Sequence, residues 1–150
     1  MTIWGVTDSG FYLLEVLRER VELPELKKMC IVAYDRDRPA SVLIEDAASG
    51  QSLIQELKRE TTLPIIPVKV DTDKVVRSYA VTPLIEAGRV YLPEHAPWLH
   101  DYIEELSAFP NGEHDDQVDS TTQALRNLAN PVNYGFTGFT EENEWALERL

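Results

Sequence analysis

The order of its apolar runs constrains this chain more than any other feature. "TIWGV" and "FYLLEVLRE" are β-prone and separated only by "TDSG". Asp8-Ser9-Gly10 is turn chemistry, so residues 2 to 18 read as a β-hairpin. Strands and helices then alternate. Pro24 opens a helix on which Leu26, Met29, Cys30 and Ala33 recur at helical spacing, ending near Arg36. "SVLIE" is a β-branched strand closing at Glu45. "DAASG" leads into the helix "QSLIQELKRE", with Leu53, Ile54 and Leu57 on one face and Ser49 as the expected N-cap. "LPIIPVKV" is the next strand, where Pro64 and Pro67 suit exposed ends or a sheet edge. A helix is expected from about Thr72, with Gly88 as its stop, then the short strand "RVYLP". "APWLHDYIEELSAF" follows as an amphipathic helix with Trp98, Leu99, Tyr102, Ile103 and Leu106 toward the core. Pro110-Asn111-Gly112 breaks it, and "HDDQVDSTTQALRNLA" is the last clear helix. The alternation predicts an α/β fold, a mixed sheet with helices on its faces.

Residues 1 to 129 therefore read as one domain, large enough for a sizeable core. From Asn130 the chain mixes Gly, Asn and Pro with isolated aromatics and ends acidic, so 130 to 150 read as a tail or partner-binding segment. No apolar run approaches bilayer length and no signal peptide is evident, which predicts no membrane association. The lone cysteine, Cys30, excludes an internal disulfide and suits a reducing cytoplasm. It lies on an apolar helix face, as a core thiol rather than a nucleophile.

The formal charge of −12 argues against a stand-alone DNA binder, because phosphate affinity rests on Lys and Arg. It leaves room for a metal site. Clustered carboxylates repel one another, and a divalent cation resolves the repulsion. "GEHDDQVDS" holds Asp115, Asp116 and Asp119 within five positions at the start of the last helix. Val118, Thr122, Leu125 and Ala129 mark its core stripe, and Asp115 and Asp119 stack on a flank. Like charges at this spacing destabilise a helix by roughly 0.2–0.5 kcal/mol per pair. One aspartate is accounted for as a cap, and the helix dipole favours a second. The third points to oxygen ligands for a hard cation such as Mg²⁺. Glu45 ends a strand, and functional groups of α/β sheets gather beyond such ends. It is equally a residue that would point into solvent. His114 reads as a surface histidine. Lys69, Lys74 and Arg77 surround "VKVDTDKVVR" and are placed to meet phosphates, or to form a solvated helix face.

Three stretches, "VLIEDAASGQSLIQEL", "DKVVRSYAVTPLIEAGRVYLPE" and "WLHDYIEELSAFPNGEHDDQVDSTTQAL", together resemble the C-terminal nuclease domain of phage terminase large subunits, the motors that package viral DNA. The resemblance runs from about Trp4 to Leu128. It implies a ribonuclease-H-like fold and an endonuclease (a hydrolase) that cuts concatemeric double-stranded DNA by two-metal phosphodiester hydrolysis with Mg²⁺ or Mn²⁺. Glu45 matches the acidic residue ending a strand of that family. Asp116 and Asp119, with Asp115 beside them, match its acidic helix cluster. In that chemistry the two ions lie about 3.5–4 Å apart, one activating water and the other stabilising the leaving oxygen. The "DK…R" pattern raises Lys74 and Arg77 as DNA-binding residues, and "GRVYLP" resembles a β-hairpin element near the DNA groove. Implied partners are double-stranded DNA, the terminase ATPase domain, the small terminase subunit and the portal. The implied location is the cytoplasm of a bacterial host, for a phage or prophage protein.

The departures are specific. The family's first strand, with another metal-binding Asp, has no counterpart before "TIWGV", and no G-x-x-x-x-G-K-[ST] occurs. The expectation is a cut piece, a truncated gene or a remnant that, lacking that Asp, binds metal weakly and cuts DNA poorly or not at all. A missing central strand leaves unpaired edges, so the expectation is self-association, by dimerisation or a swapped strand, or else a gap filled by a segment of the same chain. The alternative function is a catalytically inactive interaction module of the same fold.

Overall fold

The computed structural model describes residues 1–70 and 72–129. The tail expected from Asn130 lies outside them. Five strands and six helices are described, and the chain divides into two compact units. One comprises Met1–Arg18 with the segment from Thr72 onward; the other is Glu19–Asp71.

In the first unit, β1 (Thr2–Val6) and β2 (Phe11–Val16) form the expected hairpin. Thr7 and Gly10 exchange backbone hydrogen bonds of 2.9 and 3.2 Å across the Asp8-Ser9 turn. The register shifts between Ile3 and Trp4, so Ile3 faces Glu15 while Trp4 faces Leu13. That bulge at Leu14 explains why Phe11, Leu13 and then Val16 are buried, out of strict alternation. β5 (Val90–Tyr91) pairs parallel with β2, giving a three-stranded mixed sheet in the order β1-β2-β5. "GRVYLP" is thus not a hairpin: its strand joins β2 in parallel, and Tyr91 stacks on Tyr12 with ring centroids 4.5 Å apart.

The single helix expected from Thr72 is two, α3 (Lys74–Tyr79) and α4 (Thr82–Glu86). Pro83 explains the break, since it lacks an N–H and its ring obstructs the carbonyl four residues back. Gly88 is the expected stop. Its φ is 65°, and the Arg89 N–H reaches the Leu84 carbonyl at 3.0 Å, closing α4 in a Schellman turn. α5 (Leu99–Ala108) and α6 (Asp116–Ala129) pack on each other, and α6 also packs on β1 and α3. Phe11, Val81 and Leu125 form one core cluster, and Leu13, Val16 and Tyr102 another. Two expected core positions are outside: Ile103 is 45% exposed and Ala129 is exposed. The buried stripe of α6 runs instead through Gln117, Val118, Thr121, Thr122, Ala124 and Leu125.

In the second unit, α1 (Leu23–Asp37) packs on α2 (Ser49–Glu60), and α2 covers the parallel pair β3 (Val42–Glu45) and β4 (Ile65–Val68). Cys30, Ile44, Leu53, Ile54 and Leu57 are its core. Burial pushes the Cys30 thiol pKa up, as suits a core thiol. Pro67 is exposed within β4. No helix among the described residues is long and apolar enough to cross a membrane.

Candidate functional site

Glu45 is the last residue of β3, half-buried and opposite Val68. The Asp46 N–H donates to the Val68 carbonyl at 2.8 Å, carrying the pairing one residue further. The chain then turns tightly into α2. Ala48 adopts φ 45° and ψ −120°, and a Cβ at position 50 would lie 2.0 Å from the Glu45 carbonyl oxygen, so only glycine fits there. This close approach, not a side chain, starts the helix: Ser49 lies inside α2, and Ala48 at the cap position makes no side-chain hydrogen bond.

The aspartates belong to the first unit. After α5 the chain loops back, with the Asn111 N–H on the Ala108 carbonyl at 2.9 Å, and α6 begins when the Asp115 carbonyl accepts from the Asp119 N–H at 2.9 Å. The first amides of a helix have no partner within it. Here the Gln117 N–H is met by Glu105 on α5, at 2.6 Å from Oε1, while Gln117 Nε2 donates to Glu105 Oε2 at 2.6 Å. Glu105 is 6% exposed and Arg18 lies 3.4 Å from it. Four residues along α6, Thr121 and Tyr102 share a hydrogen bond of 2.7 Å. Burial pushes the Tyr102 phenol up to about 12. α5 therefore fixes both the start and the roll of α6, and Glu105 takes an amide that an aspartate cap was expected to serve.

α3 supplies the cations. Its N-cap is Asp73, whose carboxylate accepts from the Val75 N–H at 2.8 Å. Lys74 and Arg77 follow one turn apart. Lys74 Nζ donates to Asp115 Oδ2 and lies 3.6 Å from Asp119 Oδ2. The Asp115 carboxylate beside it holds this ammonium above the usual lysine range. Arg77 is 5% exposed; one terminal nitrogen donates to Asp119 Oδ1 at 2.6 Å and the other to the Thr72 carbonyl at 3.1 Å. Three carboxylates and two cations leave one net negative charge. Asp116 is exposed, and no other described residue forms an ion pair with it.

Asp115 and Asp119 thus converge on one cation, as their spacing predicts, and Lys74 and Arg77 lie with them. Asp116 starts the same helix, while Glu45 is fixed within the other unit. His114 is exposed, as expected. The closest grouping of potential metal-binding atoms among the described residues is elsewhere, at His100, Asp101 and Glu104 of α5, within 4.8 Å of one another and all exposed. Glu105 is the residue that sequence reasoning missed. It falls three after Tyr102, within the inward stripe of α5, but a charged residue there reads as outer face.

The donors suit a hard divalent ion. They are all carboxylate oxygens, and the Lys74 ammonium is already a cation shared by two of them. A family model described as a terminase RNaseH-like domain matches residues 1–128. No curated protein and no solved structure gives a significant match.

Proposed function

Because the chain belongs to the terminase RNaseH-like domain family, we propose that it is the metal-dependent endonuclease domain of a DNA-packaging motor. The family match makes it a terminase nuclease-type domain of ribonuclease-H-like fold, and such a fold suggests divalent-metal use. The finer reading is hydrolysis of concatemeric double-stranded DNA at a site holding two Mg²⁺ or Mn²⁺ ions. The observation that carries it is the matched span itself, which includes Glu45, Asp115, Asp116 and Asp119 in order.

In this reading residues 1–129 act as one nuclease domain, whose metal-ligand candidates are Glu45, Asp115, Asp116 and Asp119, with Glu45, Asp116 and Asp119 as its catalytic carboxylates. Bound divalent ions would supply an attacking water of lowered pKa and positive charge for the leaving oxygen. Asp116 is the first-turn carboxylate that no described cation engages. Asp119 is oriented by Arg77, so its carboxylate direction is set beforehand. Lys74 is the candidate to meet a DNA phosphate directly, since its side chain is 38% exposed. Arg77 faces inward and would serve DNA binding through Asp119. Family membership implies DNA and other terminase components as partners. The ATPase domain, small subunit and portal, and a bacterial-host cytoplasm for a phage or prophage protein, belong to the same proposal.

A supercoiled-plasmid assay tests it. Nicking that needs Mn²⁺, however slow, and disappears in Asp116→Ala is the expected result. No nicking, with no effect of Mn²⁺ on melting, would sink the nuclease reading. A cation that binds only the folded chain adds about 2.7 kcal/mol at a hundredfold excess over its dissociation constant, well within reach of a melt. That second outcome would favour a catalytically inactive interaction module. One observation supports that alternative: Asp115 and Asp119 already have Lys74 and Arg77 as partners.

A further inference from the structure

Lys74 and Arg77 reach the same carboxylates from one turn of α3, yet their settings differ. Arg77 is 95% buried, donates to both Asp119 and the Thr72 carbonyl, and keeps its Nε in the interior without a partner. Turning it outward would break both bonds and strip Asp119 of its closest cation. An arginine fork held at two points is a fixed orienting group. Lys74 is anchored only at its ammonium, by Asp115 and Asp119, on a flexible four-carbon stem that is more than a third exposed. It can leave for water by giving up those two contacts alone.

We propose that Lys74 is a tethered counter-ion: its ammonium sits between Asp115 and Asp119 while no divalent cation is there, and yields when one arrives. Arg77 is a positioning residue that keeps Asp119 aimed throughout. The inference rests on the nuclease reading and adds a rule for loading the site. Metal entry becomes an exchange, in which one positive charge withdraws as two arrive. The acidic cluster is then neutralised enough to fold without metal. Affinity for divalent ions is correspondingly lower than three carboxylates alone would give. The displaced ammonium, still tethered beside the site, is available to a phosphate oxygen of DNA.

The test is Mn²⁺ binding by calorimetry on the full chain, paired with melting with and without Mn²⁺. The proteins are the parent, Lys74→Met, and Lys58→Met as a control that removes one exposed lysine elsewhere. Lys74→Met is expected to bind Mn²⁺ roughly tenfold more tightly, as when one like charge is removed from a partly exposed site. Without metal it should melt below the parent, and Mn²⁺ should raise its melting point by more. Lys58→Met should match the parent in every respect. If Lys74→Met binds Mn²⁺ no more tightly than Lys58→Met, the exchange is wrong while the nuclease reading stands. A folded Lys74→Met that loses Mn²⁺ binding would also overturn it, making Lys74 a support for the carboxylates rather than their competitor. If neither the parent nor Lys74→Met binds Mn²⁺, both readings fall.

Discussion

Two places in this molecule use one lysine to join two carboxylates four residues apart. In the second unit, Lys27 on α1 donates to Glu56 and Glu60 on α2, at 2.9 Å each. In the first, Lys74 on α3 bridges Asp115 and Asp119 at the head of α6. Glu56 and then Glu60 hold the Lys27 ammonium above its usual range, just as Asp115 does for Lys74. The bridge alone therefore distinguishes nothing. What differs is its support. Glu56 and Glu60 are long, and among the described residues no buried cation faces them, so the pair is a surface cross-link of the kind water and side-chain entropy largely cancel. Asp115 and Asp119 have short stems that follow the backbone. That backbone is held by Glu105, and Asp119 is backed by a buried guanidinium. A third carboxylate, Asp116, stands beside them. The candidate site differs from the surface cross-link in what immobilises its charges.

That contrast can be broken by mutation. Arg77→Met should have the largest effect at neutral pH, a loss of about 2 kcal/mol in urea unfolding. This is less than the 3–5 kcal/mol of a fully buried pair because Asp119 keeps some access to water. A loss below about 0.5 kcal/mol, the level of an ordinary surface change, would mean that Arg77 does not hold Asp119.

The next effect concerns the α5–α6 junction, which has no counterpart in the second unit. The folded Tyr102 phenol ionises at about 12 against an ordinary value near 10, chiefly through burial. Its contribution to stability is complete below pH 10 and is lost as pH rises toward 12. The parent should lose roughly 2–3 kcal/mol more than Tyr102→Phe across that window. Parallel pH profiles for the two proteins would show that α6 is not seated through this hydroxyl.

The smallest effect is expected at Lys27→Met, which should leave the melting curve unchanged within error. A loss matching that of Arg77→Met would erase the distinction between the two bridges.

Much of this was legible in the sequence. The turn residues Asp8-Ser9-Gly10 announced the hairpin, and Leu53, Ile54 and Leu57 announced the buried face of α2. The three crowded aspartates marked where α6 begins. Other features depend on partners distant in the chain. Nothing local reveals that Lys74 and Arg77 lie against residues about forty positions away, at 115 and 119. The split at Pro83 was signalled by the proline but hidden by the apolar run around it. Glu105 escaped because a carboxylate enters an interior only when partners await it, and those partners, the Gln117 donors and the Arg18 cation, come from other segments.

The buried carboxylate on α5 means that the acidic motif is not portable. A peptide or graft carrying only residues 113 to 129 would keep every aspartate yet lose the group that anchors its first amide. Its leading turn would fray, and its charges would point wherever mutual repulsion sent them. Transplanting this chemistry to another scaffold would require moving two helices as a single piece.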